Sequence, residues 1–302
     1  DTLTFDHPAA CRPARLTATL HLAASEGPAP CMVILTSSAG VQRHREHFYA
    51  QALNEAGVAA LVVDSFGGRG VRRTVADQTL VSAAQMEGDA FAALALLRTD
   101  PRIDPERIGL MGVSKGGGAT LNAAIAVRQR WRHGFPHLFD LHVAICPGAT
   151  AQHRDPTTHG RPIFFMLAAR DDYTPAPLAV EYAERMRAAG NQRIRVKVYG
   201  NAHHGWESVG PVFDIKDAEN WSCCRNYIED DGRHFVVAAG RTMTEPEYQA
   251  WARIHCVTRG ARAGGGTVEL KRRATADLLS FLQVHGFAPQ WTNRPFPAIS
   301  AA

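Results

Sequence analysis

No run of 18 apolar residues occurs in the 302-residue chain, which excludes an α-helical membrane span. Charge of one sign is also in short supply. Lys and Arg number 33 against 29 Asp and Glu, a net charge of +4, and the basic residues are dispersed. The short clusters Arg69 to Arg73, Arg128 to Arg132 and Lys271 to Arg273 read as solvated faces, so nucleic acid is not an expected partner; a mild attraction for anionic substrates is the most they allow. None of the six cysteines has zinc-site spacing, and His44-Arg45-Glu46-His47 lacks the His-Glu-x-x-His spacing of a metalloprotease. Neither a metal nor a cofactor is expected. No polar linker and no internal repeat divides the chain, so residues 1–302 read as one domain. Hydrophobic residues at 45% against 21% charged supply a substantial core.

What is present is an alternation of strand and helix. Leu16 to Leu22, Met32 to Leu35, Ala59 to Val63, Arg107 to Met111, Leu141 to Ile145, Ile163 to Ala168 and Ile194 to Val198 read as strands. Between them lie helical patterns at His44 to Ala56, Ser82 to Leu97, Gly116 to Val127 and Pro177 to Ala189, and a last helix spans Val268 to Val284. Ser82 and Gln85 have capping-box spacing. The fold class is therefore α/β, a mostly parallel central sheet with helices on both faces. Residues 207–266 form an insertion before the C-terminal helix, too long for a simple loop. It carries a strand-like Phe235-Val236-Val237 and a helix Glu245 to Cys256 capped by Thr244 and Glu247. Starting beside His204, it is expected to be a lid or a pocket wall, with a structural elaboration as the alternative.

Gly112-Val113-Ser114-Lys115-Gly116 falls between a buried strand, entered from a turn at Asp104-Pro105, and a small-residue helix. A Gly-x-Ser-x-Gly pentapeptide in that context presents a nucleophilic serine on a sharp turn, with glycines on either side for close packing. Such a serine needs a base and a group to orient it, supplied in α/β-hydrolases in the order Ser, acid, His. Asp171 follows the apolar run Ile163 to Ala168, and His204 follows the strand Ile194 to Val198. The adjacent Asp172 is expected to cap the helix start at Pro175-Ala176-Pro177 or face solvent, and His203 to line the site.

At this point the chain resembles the dienelactone hydrolase family of α/β-hydrolases, from about residue 15 to 206 and again at the final helix. The resemblance rests on Gly112 to Gly117, on Asp171 followed by Pro175, on Ala202-His203-His204-Gly205-Trp206, and on Asp64-Ser65-Phe66-Gly67-Gly68-Arg69-Gly70. It implies Ser114 as nucleophile, Asp171 as orienting acid and His204 as general base. The family's founding enzymes use a cysteine nucleophile and carry a glutamate soon after the third strand, where this chain has Ser114 and the neutral run Thr36 to Gly40. An ordinary ester is therefore expected in place of dienelactone.

Oxyanion stabilisation needs preorganised N–H groups. The residue after the nucleophile, Lys115, gives one, and the loop after Cys31 to Leu35 gives the other, from Ser38 or, with a one-residue shift, Ser37. Ser37, Arg69, His203 and Trp206 are the candidate substrate-binding residues; Arg69 would either meet a substrate carboxylate or make a structural hydrogen bond in its own turn. Trp206 and Trp221 are candidate pocket aromatics. Cys146 reads as a buried inert thiol near the site. Cys223 or Cys224 with Cys256 would staple the insertion. That pairing, in a chain beginning at Asp1, leads to the expectation of an exported protein, periplasmic or secreted, with the cytoplasm as the alternative. The function expected is a serine esterase acting on a small-molecule ester. A peptidase or amidase on the same triad, or a binding protein that has lost turnover, are the alternatives.

Overall fold

Apolar runs bounded by turns become strands because both faces of a parallel sheet are buried. In the computed structural model, which describes residues 1–7, 14–131 and 135–288, all seven expected strands are present. In chain order the strands are β1 (Thr2–His7), β2 (Ala14–His21), β3 (Ala29–Leu35), β4 (Ala59–Asp64), β5 (Ile103–Val113), β6 (His142–Ile145), β7 (Ala151–His153), β8 (Ile163–Ala168), β9 (Ile194–Tyr199), β10 (Val212–Asn220), β11 (Asn226–Ile228), β12 (His234–Val236), β13 (Arg241–Met243) and β14 (Thr258–Gly264). The α-helices are α1 (Phe48–Glu55), α2 (Ala83–Leu97), α3 (Lys115–Ala124), α4 (Ala176–Ala188), α5 (Glu245–His255) and α6 (Val268–Val284). Arg132, the end of one basic cluster, lies outside the described residues.

Eight strands form the central sheet in the order β1-β2-β4-β3-β5-β6-β8-β9. β1 and β2 run antiparallel, β2 meets β4 antiparallel, and every pairing from β4 to β9 is parallel. Residues alternate between the two faces. Met32 and Ile34 of β3 pack with Tyr49 and Leu53 of α1 and Leu278 and Leu282 of α6, whereas Cys31, Val33 and Leu35 face Phe91 and Leu94 of α2. α4 covers β8 through Tyr182, Ala183 and Met186 against Phe165 and Leu167. The Ser82 and Gln85 capping box forms with both reciprocal bonds.

Three expectations are corrected. The turn at Asp104-Pro105 lies inside β5; its ladder to β3 shifts register between Ile103 and Ile108, where Pro105 has no N–H to give. The first expected helix opens as a five-residue π-type turn, Arg43–His47, before α1. The third ends at Ala124, and a 3₁₀ segment, Ala126–Trp131, follows.

The insertion is built of β10 paired antiparallel with β14, the small sheet β13-β12-β11-β7, and α5. Its own apolar cluster is Cys224, Val236, Met243, Tyr248 and Ala252. The disulfide is Cys224 to Cys256 across 32 residues, which leaves Cys223 exposed as a free thiol. Among the described residues no helix is long and apolar enough to cross a membrane. Closing a loop of that length restricts the unfolded chain by about 3–4 kcal/mol on the loop-entropy model. The double substitution Cys224→Ser with Cys256→Ser is expected to lower the free energy of urea unfolding by about that amount; a loss under about 1 kcal/mol would show that the apolar cluster alone holds the insertion.

Candidate active site

β5 ends at Val113 and α3 begins at Lys115, so Ser114 alone makes the turn, with φ 56° and ψ −113°. Few non-glycine residues adopt such angles, and the strain costs on the order of 1–3 kcal/mol. Close approach makes the flanking glycines necessary. A Cβ on Gly112 would lie 2.2 Å from Gly116 O, and one on Gly116 would lie 2.5 Å from Thr36 O. The Ser114 N–H donates to Ile145 O at 2.8 Å, and Gly118 N–H donates to Ser114 O at 3.0 Å.

The loops after β8 and β9 reach the same sheet edge. The Ser114 hydroxyl lies 3.0 Å from His204 Nε2, and His204 Nδ1 lies 2.8 Å from Asp171 Oδ2. A carboxylate only accepts, so Nδ1 carries the proton and Nε2 is free to accept from the serine. All three residues are buried. Asp171 Oδ1 also accepts from the N–H groups of Tyr173 at 2.9 Å and Thr174 at 2.7 Å, and Thr174 Oγ1 lies 2.8 Å from Oδ2. Burial pushes the Asp171 carboxyl up, but its electrostatic attraction to the His204 ring and these hydrogen bonds outweigh it and hold the group below its usual range. Tyr173 meets the His204 ring edge-on, centroids 5.1 Å apart.

Cys146, buried after β6 at φ 41°, brings its thiol to the Asp171 carboxylate, and burial holds that thiol well above its ordinary pKa. It is a neutral thiol against the acid, as its position after a strand led one to expect. Among the described residues Cys146, Asp171 and His204 also form a cluster of potential metal ligands, with donor atoms within 4.8 Å of one another.

The N–H groups of Lys115 and Ser38 donate to no protein acceptor among the described residues. Ser38 O instead receives Thr74 N–H at 2.7 Å, and Ser37 Oγ receives Ala39 N–H at 3.1 Å. Below this loop Glu46, fully buried, accepts from Gln42 N–H at 2.8 Å and Thr36 Oγ1 at 3.2 Å and pairs with Arg45. The neutral run Thr36 to Gly40 thus rests on a carboxylate ten residues further on, which its own composition could not reveal.

Other candidates stand elsewhere. Arg69 is bidentate to Asp89 at 2.8 Å to both oxygens and donates to Ser65 O; the side chain is buried in this pairing, a structural role in place of contact with a substrate carboxylate. Trp206 is fully buried and packs against Tyr199 with centroids 5.1 Å apart, so it belongs to the core below the sheet and not to a pocket. Trp221 packs on Tyr248 in the insertion. His203 is buried next to the Val212 and Gly265 corner, with Nδ1 unpartnered among the described residues. Asp172 does not cap α4; it pairs with Arg262 of β14 at 2.7 Å, while its neighbour Asp171 takes the turn N–H groups.

The insertion lies against these loops. Gly264 N–H donates to His204 O at 2.8 Å, and Asn220 Nδ2 donates to Asp172 O at 3.0 Å. Sequence patterning missed β10 and β14: charges dilute Val212–Asn220, and Thr258–Gly264 holds only small residues and arginines.

The chain matches the dienelactone hydrolase family over residues 16–220. No curated protein matches its sequence. Among solved structures it is similar to esterase 2 of Thermogutta terrifontis phosphorylated by paraoxon, at 14% identity over 95% of each chain with a TM-score of 0.59. The same esterase with propionate bound gives 13% identity, 95% coverage of each chain and a TM-score of 0.57. Est1E of Butyrivibrio proteoclasticus gives 14% identity over 67% of this chain and 90% of that one, with a TM-score of 0.50.

Removing Arg69 breaks a bidentate ion pair to the fully buried Asp89 carboxylate. Arg69→Ala is expected to cost about 3–5 kcal/mol of stability, measured by urea unfolding, with KM unchanged in whatever enzyme stays folded; a substrate contact would give the reverse, a raised KM at wild-type stability.

Proposed function

Because the chain belongs to the dienelactone hydrolase family and is a hydrolase of the α/β-hydrolase fold, we propose that it cleaves carboxylic esters through an acyl-enzyme formed on Ser114. The observation that carries this reading is the continuous chain of hydrogen bonds from Ser114 Oγ through His204 to Asp171, 3.0 and 2.8 Å long. His204 takes the serine proton as Oγ attacks the ester carbonyl. Asp171, kept ionised, fixes the imidazole tautomer and stabilises its cation. The unengaged N–H groups of Lys115 and Ser38 receive the oxyanion, and His204 returns the proton to the leaving alcohol. Water then attacks the acyl-enzyme with His204 again as base. With Arg69 committed to Asp89, the turn at 67–70 offers no cation for a substrate carboxylate, which favours simple acyl esters. The likeness to an esterase with propionate bound makes short acyl chains the first to try.

Intact mass after a fluorophosphonate, with turnover of p-nitrophenyl esters of increasing acyl length, tests this. Wild type is expected to take one adduct and hydrolyse short esters, and Ser114→Ala to do neither. Asp171→Asn is expected to lose on the order of 10⁴ in kcat. An adduct that persists in Ser114→Ala would move the nucleophile elsewhere.

A further inference from the structure

The two proposed oxyanion donors sit on separate pieces of chain, Ser38 in the loop after β3 and Lys115 at the start of α3. One short loop joins them. Lys115 Nζ donates to Thr74 Oγ1 at 2.6 Å, Gln78 O at 2.8 Å and Val81 O at 2.9 Å. Thr74 N–H in turn donates to Ser38 O at 2.7 Å. Thr74 therefore takes a bond from one half of the hole through its hydroxyl and grips the other half through its main chain.

We propose that Lys115 and Thr74 form a clasp that fixes the separation of the Lys115 and Ser38 N–H groups, making Lys115 a positioning residue through its side chain as well as a donor through its backbone. The clasp rests on the reading in which those two N–H groups receive the oxyanion. The insertion backs it from outside. Glu219 of β10 accepts Gln78 N–H at 2.6 Å and donates its own N–H to Val75 O at 2.8 Å, and Arg253 of α5 reaches both Glu219 and Asp77. Tyr173 of the acid loop holds Gln78 Nε2 at 2.7 Å.

Three acceptors match the three N–H bonds of an ammonium; a neutral amine donates to only two of them and can meet Thr74 only by accepting from its hydroxyl, without the charge that strengthens all three bonds. The charged and titratable groups facing Lys115 are Glu219, Asp77, Arg253 beyond them, and Tyr173. Burial pulls the ammonium down to about 7 against the attraction of Glu219 and Asp77. The protonated form makes the full clasp, so the clasp slackens as pH rises through that value. Activity is then lost on the alkaline side, in kcat and not in KM, because the oxyanion forms only in the transition state.

The test compares wild type, Lys115→Met, Lys115→Arg and Thr74→Val for kcat and KM on a p-nitrophenyl ester from pH 6 to 9, for fluorophosphonate labelling, and for thermal unfolding. Losing the alignment of one oxyanion donor costs up to roughly 100-fold in kcat. Lys115→Met is expected to lose about 10-fold or more in kcat at pH 6.5 with KM unchanged, and to lack the alkaline decline of wild type. Thr74→Val, which keeps shape and the main-chain bond, is expected to fall in between, and Lys115→Arg to recover part of the rate with the decline moved to higher pH. Turnover of Lys115→Met and Thr74→Val at the wild-type rate across the range would overturn the clasp and leave the Ser114 mechanism standing, as would a loss of rate that only tracks unfolding in both variants. A wild type that neither labels nor turns over would overturn the mechanism and the clasp with it.

Discussion

A single residue held in an unfavourable backbone conformation organises the rest of the site. Ser114 at φ 56° is tolerable only because β5, α3 and β3 approach more closely than any side chain permits, Gly116 having no room for a Cβ beneath Thr36 O. The same approach brings the Thr36–Gly40 loop alongside the start of α3, so serine presentation and a second N–H donor follow from one packing constraint. The strain is offset by main-chain bonds from Ser114 N–H to Ile145 O and from Gly118 to Ser114 O. These tie the elbow to the neighbouring strand and to its own helix.

Around that elbow the electrostatics run one way. Asp171 is buried, which alone would favour its neutral form, yet two turn N–H groups, a threonine hydroxyl and an imidazole converge on it. Hydrogen bonds to the charged form outweigh desolvation, so a carboxylate survives where bulk water is excluded. Its attraction for an imidazolium is correspondingly strong. The neutral Cys146 thiol beside it adds a weak donor without adding charge.

Most of this frame could be read from the chain. Both faces of a parallel sheet are buried, so its strands are continuous apolar runs, and β3, β4, β6 and β8 were visible for that reason. The Gly-x-Ser-x-Gly context and the strand-then-Asp, strand-then-His order pointed to the three residues that the fold brings within hydrogen-bond reach. What escaped was set by long-range partners. Trp206 and Arg69 looked like site residues by position, but Tyr199 and Asp89, respectively, claim them. Glu46 supports the Thr36–Gly40 loop from ten residues away, and the Lys115 acceptors lie some forty residues upstream. Neither relation leaves a periodic trace. β10 and β14 carry too little apolar alternation to be read, since each finds its pairing partner only across the folded insertion.

The insertion's grip on the loops around Ser114 combines two kinds of contact of unequal worth. Arg262 with Asp172 and Arg73 with Asp217 are ion pairs whose side chains stay substantially in water, and such pairs contribute about 0–1 kcal/mol each. The bonds Gly264 N–H to His204 O and Glu219 N–H to Val75 O are different, because they join main chain to main chain. Beside them Val75, Tyr173, Ala218 and Ala261 are packed together out of water. Burial and main-chain pairing therefore do most of the holding, and the exposed charges mainly select the register in which the surfaces meet. A segment attached in this way bears on the loops after β8 and β9 and on the 71–81 loop at once, so its position is coupled to the geometry of all three.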